Sequence, residues 1–138
     1  MNILIIDARY HPAVADALVD GATGALEKGD ARFVRVSVPG VLEVPGAIAI
    51  AARSGKPFDG YVALGCVLAD TRIAGTLYEE TVRALMHLGT QGLCIGNGIV
   101  MAADEGAALD QAETLDVGGD AARAALSLTT FSQRVNLT

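Results

Sequence analysis

The sequence contains no tryptophan, and aromatic residues occupy only 4% of its 138 positions, so its core must be built from aliphatic side chains. Basic residues are also scarce, with 10 against 16 acidic residues and a net charge of −6. This balance argues against nucleic-acid binding, because a protein that binds the phosphate backbone needs clustered Lys and Arg. No apolar run reaches the roughly 18 residues of a membrane-spanning helix. We expect residues 1–138 to form one cytoplasmic domain with no nucleic-acid or membrane partner.

Cysteine and histidine occur only twice each. Cys66 and Cys94 stand in apolar runs without CxxC spacing, which favours reduced thiols in the core over a disulfide or a nucleophile. His11 has no second ligand at metal spacing, so no metal site is expected. The sequence also lacks a GxGxxG motif and a Walker loop, the two common glycine-rich cradles for nucleotide phosphates.

What is present is an alternation of strand and helix patterns. Short apolar or β-branched runs predict strands at 2–7, 32–38, 60–68 and 92–100. Amphipathic or capped stretches predict helices from Pro12 to near Gly29 and over 47–55, 77–89, 104–114 and about 118–130, and the tail from 132 carries no strong pattern. This order predicts a parallel sheet with helices on both faces. Ligands of such sheets bind beyond the carboxyl ends of the strands, in loops 7–12, 39–46, 68–76 and 97–105.

The first two of these loops each carry one residue suited to a planar or polyol ligand. Tyr10 in "DARYHP" could stack on a ring, or it could simply be a surface tyrosine packed on its own loop. Glu43 lies in "PGVLEVPG", interpreted as a loop bracketed by two prolines. Its carboxylate could hold a polyol by hydrogen bonds, or it could be an exposed glutamate of a turn.

The third loop, "LADTRIAG", begins with polar residues that precede a helix. Asp70 and Thr71 are candidate caps for that helix. Alternatively, the backbone amides at the helix start could receive an anion, assisted by Arg72. In the fourth region the position that could approach a ligand is Gln111 rather than a cation.

Taken together, "ARY", "VPGVLEVPGA", "DGYVALGCVL", "IGNGIV" and "GGDAARAAL" resemble 6,7-dimethyl-8-ribityllumazine synthase over almost the whole chain. That family condenses 5-amino-6-ribitylamino-uracil with 3,4-dihydroxy-2-butanone 4-phosphate in riboflavin synthesis, without a metal or redox cofactor. The resemblance implies a flavodoxin-like three-layer αβα sandwich whose four-stranded parallel sheet is in some members extended by an exchanged N-terminal strand. It also implies a homo-pentamer or a larger shell, with sites between neighbouring subunits.

The resemblance assigns roles to several positions. Tyr10 matches the aromatic residue that stacks on the pyrimidine ring. Val41, Leu42 and Glu43 match the segment that binds the ribityl chain. The backbone of Val67 and Leu68 matches the part of the site that meets the pyrimidine. These matches imply a ribityl-pyrimidine or flavin-like ligand.

The reacting end of the family site departs from the family pattern. Asp70 and Thr71 match the family's E-T pair only if one residue is deleted, and the proton-transferring histidine then falls on Ile73, or on Ala74 without the gap. The phosphate-binding arginine and lysine of the family align with Gln111 and Val117. We expect no other histidine to take over the proton transfer, since His87 lies more than about three helical turns along the next helix.

Three functions follow from this combination. The chain could be a working lumazine synthase, because part of the condensation runs on proximity and on Schiff-base chemistry between the substrates. It could be a divergent paralogue that accepts a different, unphosphorylated carbonyl partner. It could also be a non-catalytic protein that binds a lumazine- or flavin-like ring or that builds a shell.

Overall fold

A computed structural model describes residues 1–55 and 58–136 of the chain. Four parallel strands form one sheet in the order β2-β1-β3-β4. Their bounds are β1 Asn2–Ala8, β2 Arg32–Val38, β3 Gly60–Leu68 and β4 Ile95–Ala102. β3 is buried over almost its whole length, as its apolar sequence predicts for a central parallel strand. β2 is an edge strand and is mostly exposed.

Five α-helices cover the two faces of the sheet, so the molecule is the flavodoxin-like three-layer αβα sandwich that the resemblance implies. The helices are α1 Pro12–Lys28, α2 Val44–Arg53, α3 Ala74–Thr90, α4 Glu105–Glu113 and α5 Val117–Asn136. α1, α4 and α5 pack on the face that carries Ile3, Ile5 and Leu64. α2 and α3 pack on the opposite face, against Leu4, Ile6 and Ala63. The alternation of side chains along each strand separates the two cores.

Several helix and strand boundaries differ from the sequence-based prediction. α2 begins at Val44 rather than at 47, because Pro45 is accommodated in the first turn, where its missing N–H costs nothing. Residues 41–43, predicted as loop, form a 3-10 turn. α3 begins three residues before the predicted start, and β4 is shifted to 95–102. α5 extends to Asn136, so most of the tail that carried no pattern is helical.

Two glycines allow α5 to approach its neighbours unusually closely. A Cβ on Gly96 of β4 would lie 1.7 Å from the carbonyl oxygen of Ala121 in α5. A Cβ on Gly118 of α5 would lie 2.0 Å from the carbonyl oxygen of Leu18 in α1. Since these contacts are with backbone atoms, no side-chain movement can relieve them, and only glycine fits at either position.

No helix in the described ranges combines the length and the apolar character that crossing a membrane would require. Both cysteines are free thiols, as their spacing predicts, with Cys66 buried and Cys94 partly buried.

Candidate functional site

A cavity of about 350 Å³ lies at the carboxyl end of the sheet, where the loops after β1, β2 and β3 meet. Of the residues that the sequence assigned to ligand binding or to altered family positions, nine border it: Tyr10, Val41, Leu42, Glu43, Val67, Leu68, Asp70, Thr71 and Ile73. The parallel topology explains this convergence, because it brings the carboxyl ends of neighbouring strands to the same edge. His11, Gly40, Cys66 and Leu77 complete the lining.

A larger groove of about 520 Å³ lies elsewhere, between the end of α3, the start of β4 and the end of α5. Its lining is mostly apolar, with Met86, Leu128 and Phe131 exposed, and none of the described residues that line it is charged. Size alone would favour this groove. The smaller cavity is the better candidate site because it brings an imidazole, a phenol and two carboxylates together.

Tyr10 stands at the mouth of the cavity with 78% of its surface exposed. Its ring meets the ring of His11 edge-on, with 4.9 Å between the centroids and 82° between the planes. The backbone of the loop is tied to the edge strand, since the N–H of Arg9 donates to the carbonyl of Val38 at 2.9 Å. The Tyr10 ring is therefore exposed, whereas the backbone of its loop is held in place.

A cluster of charges lies at the base of this loop. Asp7, the next-to-last residue of β1, is fully buried. Its carboxylate accepts hydrogen bonds from Arg35 Nε at 2.9 Å, Arg35 Nη2 at 3.2 Å and Ser37 Oγ at 3.0 Å. Arg9 lies 3.5 Å from the same carboxylate and donates to Asp16 of α1. The hydrogen bond from Arg9 lowers the pKa of Asp16, and the one to Asp7 raises the pKa of Arg35. The bidentate contact with Arg35 and the charge balance make a buried carboxylate tolerable here.

The 3-10 turn Val41–Glu43 forms the second wall of the cavity. Within this turn, Val41 is buried and Leu42 is exposed. Glu43 Oε1 accepts a hydrogen bond from the N–H of Gly40 at 2.9 Å. Its other oxygen has no hydrogen-bond partner among the described residues. Glu43 is thus both an exposed turn residue and a carboxylate that keeps one oxygen open at the edge of the cavity.

The end of β3 forms the floor, with Cys66 and Val67 buried and Leu68 partly exposed. Burial, followed by the negative charge of Glu105, raises the pKa of the Cys66 thiol to about 11. A thiol in this state is protonated at neutral pH, so Cys66 is not a nucleophile of the site.

The expectation that Asp70 or Thr71 caps α3 is wrong. The N-cap residue is Ile73, and no side chain accepts a hydrogen bond at this helix start. The carbonyl of Thr71, rather than its hydroxyl, receives the N–H of Ala74 at 3.4 Å. Helix α3 begins too far along the chain for the two polar side chains to serve as caps. Arg72 is exposed and does not line the cavity.

Ile73 and Ala74, the two positions on which the family histidine falls, differ sharply in their surroundings. Ile73 is 57% exposed and borders the cavity, whereas Ala74 is 2% exposed and packs into the core under α3. Only position 73 could present a side chain to a ligand.

Gln111 and Val117 do not border the cavity of their own chain. Gln111 lies on α4 and donates from Nε2 to the carbonyl of Met101 at 3.3 Å. Val117 is the first residue of α5 and packs against the core on the α1 face.

Two features of the site escaped the reasoning from sequence. His11 was examined only as a metal ligand, although its position next to Tyr10 was a signal that it faces the same cavity. The signal for Asp7 was weaker: an acidic residue that ends an otherwise apolar strand.

Comparisons with known proteins show which family the sequence matches. The sequence model of the 6,7-dimethyl-8-ribityllumazine synthase family matches residues 1–133. The chain is 42% identical to 6,7-dimethyl-8-ribityllumazine synthase 1 of Mesorhizobium japonicum, over 97% of this chain and 87% of that protein. It is 41% identical to the 6,7-dimethyl-8-ribityllumazine synthase of Sphingopyxis alaskensis, over 99% and 98%, and 43% identical to that of Nitrobacter hamburgensis, over 96% and 86%.

Proposed function

Because the chain belongs to the 6,7-dimethyl-8-ribityllumazine synthase family, we propose that it acts in riboflavin biosynthesis. Its cavity would bind 5-amino-6-ribitylamino-uracil and condense it with 3,4-dihydroxy-2-butanone 4-phosphate. The observation that carries this proposal is the convergence of nine selected residues from three separate loops on one cavity.

Tyr10 is the proposed stacking partner of the pyrimidine ring. Its exposed phenol offers a flat surface at the mouth of the cavity, and stacking of a base on an aromatic ring is worth about 1–3 kcal/mol. The backbone of Val67 and Leu68 would contact the ring edge from the floor.

The ribityl chain is assigned to the turn Val41–Glu43. A polyol needs several hydrogen-bond acceptors and donors within one short segment, and one carboxylate oxygen of Glu43 has no partner among the residues that the structure describes. A hydrogen bond from a hydroxyl to a carboxylate is charge-assisted and stronger than one between neutral groups.

Assembly into a homo-pentamer or a larger homo-oligomer in the cytoplasm belongs to the same proposal. The family resemblance puts sites between subunits, so Gln111 and Val117 would face the cavity of a neighbour. Analytical ultracentrifugation of the full chain should then show a pentamer or a multiple of it, and a purely monomeric protein would contradict this part of the proposal.

The reaction is tested by incubating the purified protein with both substrates and following the lumazine product by absorbance. The expected result is a rate above that of the uncatalysed mixture, with Tyr10→Phe retaining most of it and Tyr10→Ala losing ring affinity. A rate equal to the uncatalysed background would exclude the condensation as the function.

A second candidate function is supported by the charges of the cavity. Among the described residues, its lining includes the carboxylates of Glu43 and Asp70 but no lysine or arginine, so these residues offer a phosphate neither an ammonium nor a guanidinium group. The partner could then be an unphosphorylated carbonyl compound, or the protein could bind a lumazine- or flavin-like ring, or build a shell, without catalysis.

Two measurements separate these candidates from the first. If the rate with 3,4-dihydroxy-2-butanone exceeds the rate with its 4-phosphate, the partner is unphosphorylated. If riboflavin binds but neither ketone reacts, the protein is a ring-binding protein rather than a synthase. If neither riboflavin nor a ribityl-pyrimidine binds, Tyr10 and Glu43 have no ligand-binding role, and a shell-forming role becomes the candidate to test.

A further inference from the structure

The two histidines of the chain occupy very different places. His87 is exposed on α3, with its Nε2 3.0 Å from Nε2 of Gln91. His11 precedes α1 and lines the cavity. Its ring contacts that of Tyr10, and neither ring nitrogen has a hydrogen-bond partner among the described residues. An imidazole with both nitrogens unoccupied thus borders the candidate site.

The floor of the cavity and the start of α3 offer no group suited to both giving and accepting a proton at neutral pH. Burial keeps the Cys66 thiol protonated, since it raises its pKa to about 11. Ile73, which faces the cavity from the start of α3, has no titratable group. Imidazole is the side chain that both gives and accepts a proton most readily near neutral pH.

We propose that His11 is the general acid and base of this cavity, in place of a histidine at the start of α3. This inference rests on the proposed condensation and names the residue that transfers protons in it. It differs from the expectation that no other histidine takes that role, an expectation that considered only His87.

The step that needs such a group is the dehydration that forms the imine. The amine of the pyrimidine adds to the ketone carbonyl and gives a carbinolamine. The His11 imidazolium donates a proton to the carbinolamine hydroxyl. The C–O bond then breaks with its electron pair on oxygen, water leaves, and the nitrogen lone pair forms the C=N bond. The resulting iminium returns its N–H proton to the neutral imidazole, so the step consumes no proton and releases one water.

The test compares His11→Gln with His87→Gln as a matched control. Glutamine retains a polar side chain of similar length but cannot act as an acid or base. The His11 side chain makes no capping hydrogen bond to α1, so its replacement should leave folding intact. We expect kcat of His11→Gln to fall by about 10²-fold or more, with KM and riboflavin affinity unchanged, and His87→Gln to resemble the wild type.

Two further readouts separate proton transfer from a structural effect. Added imidazole should restore part of the rate of His11→Gln and leave the wild type unchanged. The pH profile of the wild-type kcat should differ from that of His11→Gln, because the variant lacks the imidazole. The other titratable groups that line the cavity are Tyr10 on the same loop, Glu43 on the 3-10 turn, and Cys66 and Asp70 on β3 and its following loop. They are present in both proteins and serve as the internal reference.

The outcomes distinguish this inference from the proposed function. If the wild type is active and His11→Gln is equally active, His11 has no catalytic role and the synthase assignment stands. If His11→Gln loses riboflavin binding together with its rate, His11 serves binding and the inference is overturned. If the wild type does not exceed the background rate, the condensation and this inference fall together, whereas riboflavin titration still reports on ring binding.

Discussion

Placing a histidine at position 73 tests whether the start of α3 still reaches the reacting atoms. Ile73 borders the cavity and is 57% exposed, whereas the next residue, Ala74, is 2% exposed. Ile73→His therefore presents an imidazole to the cavity, and Ala74→His is the matched control that places the same group into the core. The informative background is His11→Gln, in which the proposed proton donor is missing.

The magnitudes follow from these two environments. Full burial of an isoleucine side chain is worth roughly 1.5–3 kcal/mol, and less than half of Ile73 is buried, so Ile73→His should cost no more than about 1 kcal/mol of unfolding free energy. Forcing a ring into the space of Ala74 should cost about 1–3 kcal/mol through overpacking alone. A positioned acid or base contributes about 10²–10⁴-fold, so His11→Gln/Ile73→His should recover about 10²-fold over His11→Gln.

The assay measures kcat for lumazine formation in the wild type, in His11→Gln, and in His11→Gln combined with either Ile73→His or Ala74→His. Thermal unfolding is the control for folding. Recovery in the Ile73→His double variant, and none in the Ala74→His double variant, is the expected pattern. A folded Ile73→His double variant no faster than His11→Gln alone would refute the reasoning, because position 73 would then not face the reaction.

Two further predictions concern the floor of the cavity and the charged cluster at its edge. With the Cys66 pKa at about 11, about one thiol in a thousand is ionised at pH 8. In a Cys94→Ser variant, the rate at which iodoacetamide labels Cys66 should therefore rise about tenfold per pH unit from 8 to 10. A rate independent of pH would show that the thiol is not perturbed in this way. Arg35→Met removes the bidentate partner of the buried Asp7 and should lower the unfolding free energy by about 3 kcal/mol, near the low end for an uncompensated buried charge because two other donors remain. The control Arg123→Met breaks only exposed ion pairs and should lower the unfolding free energy by less than about 1 kcal/mol. If urea denaturation shows the same loss for both variants, the burial argument is contradicted.

The order of strands and helices was predictable because apolar runs and amphipathic stretches report burial directly. The start of α2 was not, since Pro45 reads as a loop residue although proline is equally at home in the first turn of a helix. The length of α5 was missed for a different reason. Its last turns are largely exposed, so their helical state is not recorded in an apolar pattern.

The candidate site was predictable as far as topology alone determines it. A parallel sheet brings Tyr10, Glu43 and Leu68 to one edge, and the sequence therefore indicated which loops meet. Whether a residue such as Ile73 or Ala74 faces the cavity depends on the helix register, which the sequence left open. Asp7 pairs with Arg35 because β1 and β2 lie side by side. The spacing of the two residues along the chain does not indicate this contact.

The walls of the cavity come from separate connections of the fold. The loops after β1 and β2 and the end of β3 supply the surfaces proposed for recognition, and the start of α3 is a separate segment. Substitutions at that segment should leave the walls after β1 and β2 in place, because those walls are anchored to other strands. For protein engineering, this makes position 73 a place where the chemistry can be changed while the surfaces proposed for a ring and a polyol are kept.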